Sequence, residues 1–86
     1  MTTSLASMEI EAEFTVEPFV EGEPGDHVQA AFDAVRAEGL DVEVGPFGSS
    51  VVGPADRVSR AIGRLVADAT AAGATRISFQ VTRREP

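Results

Sequence analysis

The sequence predicts an α+β domain of the split β-α-β-β-α-β type. Three observations carry this. Alternating apolar and polar residues mark a strand near each end of the chain. Two stretches between them repeat apolar residues at helical spacing. Breaks rich in glycine and proline separate the segments in the order strand, helix, strand, strand, helix, strand.

Met1 to Ser7 is small and polar, and reads as a frayed tail ahead of a single domain over 8–86. From Met8 to Val16 the alternation is strict. Met8, Ile10, Ala12, Phe14 and Val16 share one face, and Glu9, Glu11, Glu13, Thr15 and Glu17 share the other. Period two over this length is a half-buried strand. Pro18 to Gly25 holds two prolines and two glycines and reads as a loop. Asp26 stands three residues before Gln29, the spacing of a capping box. Val28, Ala31, Phe32 and Val35 follow at helical intervals, and Gly39 is a stop, so the first helix is expected over Asp26 to Glu38.

Leu40, Val42 and Val44 alternate with Asp41 and Glu43 as a second strand, broken by Gly45-Pro46-Phe47-Gly48. Ser49 to Val52 is a short third strand. Gly53-Pro54 suits a helix start, because proline lacks only an N–H that the first turn leaves unbonded. Ala55, Val58, Ile62, Leu65, Ala69 and Ala72 give the second helix its apolar stripe, and Asp56 with Arg60 forms a favourable i, i+4 pair. Gly63 falls on the polar side and costs about 1 kcal/mol against alanine. Gly73 ends the helix. Arg76 to Arg83 is the last strand, with Ile77, Phe79 and Val81 opposite Ser78, Gln80 and Thr82.

Two right-handed crossovers then give an antiparallel sheet of order 4-1-3-2 with both helices on one face, the ferredoxin-like arrangement. The apolar strand faces meet the helices, and Phe14, Phe32, Ile62, Leu65, Ile77 and Phe79 are the expected core. The other sheet face is polar and open, with Glu9, Glu11 and Glu13 in a row on a central strand. This fold hosts many functions and decides none by itself.

Composition narrows the field. A chain of 86 residues points to one domain. At this size folding buries only roughly 60–65% of the unfolded surface, so self-association would add stability. Without cysteine there is no disulfide, zinc-thiolate or thiol chemistry. No apolar run is long enough for membrane insertion, and Met1 to Ser7 lacks the marks of a signal peptide, so a cytoplasmic location is expected. The net charge is −7, and the seven basic residues are all arginines. Nucleic acid is therefore not an expected partner; the acidity favours cationic ligands, while service to solubility alone is its commoner role.

Candidate chemistry is sparse. His27, the sole histidine, is expected to be solvated at a helix start, with no catalytic or metal role. Ser49 and Ser50 have no Ser-His-Asp set around them. The hairpin at 45–50 lacks the lysine and glycine spacing of a phosphate-binding loop, but its backbone and hydroxyls suit a small polar ligand. Glutamates at alternate strand positions are too widely spaced for a single-metal cage, so no metal site is expected. Glu9 and Glu11 read as solvent-facing or subunit-facing. Glu17 differs, because it ends the first strand just before the loop.

The combination of Val16-Glu17-Pro18-Phe19 at the end of the first strand, Val42-Glu43-Val44-Gly45-Pro46-Phe47-Gly48-Ser49 across the hairpin, Gly53 opening the second helix, and Gly73-Ala74-Thr75-Arg76-Ile77-Ser78 leading into the last strand resembles the small thiamine-binding protein family. That family was long catalogued as a domain of unknown function. The resemblance spans about Met8 to Arg84, and its most specific part is the Gly-Pro-x-Gly-Ser hairpin. Two departures stand out. Ser49 replaces the family's usual threonine, and Val52 stands where an acidic residue often precedes the glycine. The resemblance implies binding of thiamine or its hydroxymethylpyrimidine precursor without catalysis or a cofactor. It also implies a homo-oligomer (dimer or tetramer) and a role in thiamine salvage or transport.

Thiamine carries a permanent thiazolium charge and an aminopyrimidine ring. A site for it needs an apolar or aromatic wall, a carboxylate, and hydroxyl or backbone partners. Glu17, Phe19, Phe47, Gly48, Ser49 and Ser50 supply these groups, joined by Glu43 and Ser78, within one subunit or across a subunit boundary. If binding does not depend on Glu17 and Ser49, the polar sheet face around Glu13, Glu43 and Ser78 is the alternative place. A rival reading is a small enzyme of this fold, a cofactor-independent monooxygenase or isomerase. The predicted apolar inner face argues against it. A third is a metabolite-sensing interaction domain.

Overall fold

The computed structural model describes residues 4–19, 22, 25–45 and 48–84. The elements run β1 (Glu9–Glu17), α1 (Asp26–Ala37), β2 (Glu43–Gly45), β3 (Gly48–Pro54), α2 (Ala55–Ala71) and β4 (Arg76–Arg84). The sheet order is β2-β3-β1-β4, the expected order read from the other edge, and every neighbouring pair is antiparallel.

Alternation in β1 decides the sheet's two faces. Ala12, Phe14 and Val16 are buried, while Glu9 and Glu13 are exposed. The buried set joins Ala31, Ala34 and Val35 of α1 and Val58, Ala61, Leu65 and Ala69 of α2 in one cluster. Alanine is its commonest residue, at positions 12, 31, 34, 61 and 69. The largest fully buried side chains are only Leu65, Val35 and Val58. Of the expected core, Phe14 and Leu65 lie inside. Phe32, Ile62, Ile77 and Phe79 pack half-buried against its rim. Phe14 and Phe79 are cross-strand partners with ring centroids 5.9 Å apart and planes tilted by 40°.

Several sequence expectations are corrected. Helix α1 has no capping box. Gly25 is its N-cap, and the Gln29 side chain donates instead to Asp33 Oδ1 at 3.0 Å. His27 is buried rather than solvated, at 7% exposure. Its Nε2 lies 2.6 Å from the Pro18 carbonyl oxygen, and a Cβ at residue 25 would meet its Cε1 at 2.7 Å. Leu40 does not extend β2. It is buried against Gly53, where a Cβ would sit 2.7 Å from Leu40 Cδ2. Gly53 and Pro54 belong to β3, and Pro54, extended at ψ 137°, is the N-cap of α2. The Asp56–Arg60 pair forms at 4.0 Å, and Arg60 also reaches Glu38 at 3.1 Å, joining the two helices. Gly39 stops α1 in the left-handed region at φ +76°. Residues Ser4 to Ser7 close an exposed turn, with Ser7 N–H donating to Ser4 O at 3.0 Å. No described helix is long and apolar enough to cross a membrane.

Candidate functional site

The register assembles the open face row by row. Glu43 pairs with Ser50, Ser50 with Glu13, and Glu13 with Gln80, so one row crosses all four strands. In the next row, toward the hairpin, Gly45 pairs with Gly48 and Thr15 with Ser78. Side chains in a row share a face because strands alternate with period two. The two facing glycines leave a depression with bare backbone at its floor, beside the taller Glu43–Ser50–Glu13–Gln80 row. Gly48 holds φ +147°, and a Cβ there would lie 3.1 Å from the Phe14 carbonyl oxygen, so the floor resists any larger residue.

The resulting concave basin has a volume of about 510 Å³ and is lined by both rows. A second basin of about 450 Å³ adjoins it, sharing Glu43 and Ser50 and extending to Glu9, Glu11, Asp41, Val52 and Arg84.

Charges on this face are unevenly matched. Glu17 lies 3.6 Å from Arg76 Nε, and Glu11 lies 4.0 Å from an Arg84 nitrogen. Glu9 has Arg84 as its cross-strand partner. Glu13 instead has neutral Ser50 and Gln80 on its two sides. Neither Glu13 nor Glu43 forms an ion pair with another described residue. Two strand spacings separate them, about 10 Å between Cα atoms. The first basin is thus an acceptor-rich, cation-seeking surface with a flat floor.

The sequence-derived candidates divide. Glu43, Gly48, Ser49, Ser50 and Ser78 all line the first basin. Ser49 pairs with Phe14, so its side chain falls on the helix side of the pleat, and Ser50 presents the hydroxyl on the open face. Glu17 and Phe19 do not line the basin. Glu17 closes the end of the sheet instead. Its carbonyl oxygen accepts Thr75 N–H at 2.8 Å and the Thr75 hydroxyl at 3.3 Å. Phe19 is 73% exposed. Phe47 lies outside the described residues. Thr15 and Gln80 also line the basin, outside the sequence-derived binding set, as does Glu13, part of the alternative place on the sheet face. The signal for all three is their parity with Ser50 and Ser78, readable once the register is known.

Fold and site together define a small ferredoxin-like domain with a ligand-sized basin on its open sheet face. The chain belongs to the thiamine-binding protein family, whose model matches residues 12–84. No functionally curated protein matches it. Among solved structures, it is similar to a domain of unknown function from Bacillus cereus, at 20% identity and TM-score 0.67, over 98% of this chain and 82% of that one. A hypothetical protein of Methanocaldococcus jannascii is 19% identical with TM-score 0.64, covering 91% of this chain and 80% of the other. A Thermotoga maritima protein provisionally assigned to thiamine biosynthesis or salvage is 22% identical with TM-score 0.63, covering 91% and 84% respectively. At these identities the structural likeness establishes the fold, and the family match is what ties the chain to thiamine.

Proposed function

We propose that this protein binds thiamine, or its hydroxymethylpyrimidine part, on the open sheet face without transforming it. The observation that carries the reading is the pair of carboxylates, Glu13 and Glu43, flanking Ser50 beside the bare Gly45–Gly48 floor. A planar heteroaromatic ring suits that floor. An exocyclic amine or a thiazolium charge suits carboxylates with no cation beside them. Hydroxyls of Ser50, Thr15 and Ser78 complete the polar contacts.

The family match favours binding without turnover, and the groups of the basin suit holding a ligand. The basin has carboxylates, hydroxyls and backbone, but no imidazole. The sole histidine, His27, is committed to Pro18 O. Between sheet and helices, where the rival enzyme reading needs converging polar groups, His27 is the one buried polar side chain among the described residues. A binder of this kind fits salvage or transport of the vitamin in the cytoplasm. A homo-oligomer (dimer or tetramer) fits a small alanine-rich core whose stability a second copy would raise.

Isothermal calorimetry with thiamine and with hydroxymethylpyrimidine tests the reading, with mass spectrometry of the recovered ligand. Heat of binding and unchanged ligand support it. Absence of heat with either ligand at high micromolar concentration removes it and leaves the metabolite-sensing interaction domain.

A further inference from the structure

We infer that the open face selects against phosphate esters, taking the unphosphorylated vitamin or pyrimidine alcohol in preference to thiamine mono- and diphosphate. The inference rests on the thiamine reading above and adds which form of the vitamin the site accepts.

The two adjoining basins share Glu43 and Ser50 and form one continuous surface. Their lining carries five carboxylates, Glu9, Glu11, Glu13, Asp41 and Glu43. Against these the described lining has a single cation, Arg84, and Glu11 already stands 4.0 Å from it. Past the other end of the first basin the nearest arginine, Arg76, is matched by Glu17 at 3.6 Å. Neither arginine is therefore an uncommitted anion partner.

The other common phosphate receptor is the N-terminus of a helix. Both helices pack on the opposite side of the sheet, against the buried face of β1. The Gly45–Gly48 floor lies one row, about 7 Å along the strands, from the Glu13–Glu43 row, so a phosphoryl group on a ligand seated there that extends over that row would approach both carboxylates to about 10 Å or less. That distance is comparable to the Debye length at moderate salt, so the repulsion is only partly screened. Glu13 and Glu43 attract the thiazolium and repel the phosphoryl group. Discrimination is thus built from the same two side chains that bind.

Calorimetric titration of the full chain with thiamine, thiamine monophosphate and thiamine diphosphate tests this at low and high salt. The expected affinity order is thiamine, monophosphate, diphosphate, with each step weaker by about tenfold at low salt. The gap should narrow as salt rises. In Glu13→Gln, thiamine should bind more weakly while the ratio of thiamine to diphosphate affinity falls. Circular dichroism checks that this surface variant stays folded. Diphosphate binding as tight as thiamine, or tighter, would overturn the inference and leave the thiamine reading intact. An unchanged ratio in Glu13→Gln would also overturn it. If neither thiamine nor its esters bind, the functional reading and this inference fall together.

Discussion

Glu13 and Glu43 stand on either side of Ser50 in one row of the open sheet face, each without a cationic partner among the described residues. Elsewhere on β1 the glutamates at positions 11 and 17 have arginines within 4.0 Å. A charge-assisted hydrogen bond contributes about 1.5–3 kcal/mol, so Glu13→Gln or Glu43→Gln should weaken thiamine binding by one to two orders of magnitude. Ser50→Ala, losing a neutral bond, should cost about fivefold. Glu17→Gln and Ser49→Ala should leave the affinity near that of the parent protein. Calorimetry on the five variants and the parent reads the pattern, and a dominant effect at Glu17 would move the site to the end of β1.

Two glycines should respond to alanine in opposite directions. Gly63 lies inside α2 with nothing within 4 Å of an added Cβ. Gly63→Ala should therefore stabilise by about 0.5–1 kcal/mol through helix propensity and a less flexible unfolded chain. Gly48 combines φ +147° with a Cβ position 3.1 Å from Phe14 O. Gly48→Ala should destabilise by about 1–3 kcal/mol. Urea titration of both variants checks the signs, and a stabilised Gly48→Ala would show that the β3 backbone differs from the one described.

The fold was legible because each element carries its own period. β1 alternates so strictly that its buried and exposed residues follow from sequence, and Ala55, Val58, Leu65 and Ala69 mark the inner side of α2. What the sequence concealed was pairing. Nothing local states that Glu13 faces Ser50, or that Ser50 in turn faces Glu43, since register depends on strands distant in the chain. Glu17 looked distinctive by its position before Pro18, yet across the sheet it meets Arg76. His27 was misread for a similar reason. Its partner is the Pro18 carbonyl, nine residues upstream, and no periodicity in the sequence encodes that contact.

That histidine supports a coupled prediction. His27→Ala removes the bond to Pro18 O and opens a small void in a buried position, and should cost about 1–3 kcal/mol. Gly25→Ala should disturb the same bond, because the new methyl would meet His27 Cε1 at 2.7 Å. The two effects should be clearly non-additive, with Gly25→Ala costing less in the His27→Ala background. A double-mutant cycle by thermal denaturation measures the coupling, and simple additivity would place the strain at Gly25 elsewhere.

Core truncations should rank by burial. Leu65 is fully buried, so Leu65→Ala should cost about 2–5 kcal/mol, a large share of the stability of so small a domain. Phe32 and Phe79 sit at the rim, and their truncation to alanine should cost less than Phe14→Ala. Denaturant midpoints for the four variants give the order. Equal losses at Phe14 and Phe79 would mean that Phe79 is covered by something beyond the single chain.

β4 is an edge strand of nine residues, and the side of its backbone away from β1 has no partner in the sheet. Val81 is 51% exposed on the side where Ile77 and Phe79 lie, and the described helices pack mainly over β1 and β3. Long edges invite pairing. Two copies meeting antiparallel about Gln80 would place Phe79 of each opposite Val81 of the other, an apolar cross-strand pair made twice. Arg76 and Arg84 would also face each other, with Glu17 and Glu11 nearby to offset the repulsion. We therefore expect a dimer or tetramer by light scattering at micromolar concentration. Val81→Lys should shift it toward monomer, because a charged edge position disfavours strand addition. A parent protein that is monomeric across that range would refute assembly. An oligomer indifferent to Val81→Lys would keep assembly and move the interface away from β4, most directly to the open face, where it would cover the basin between Glu13 and Glu43.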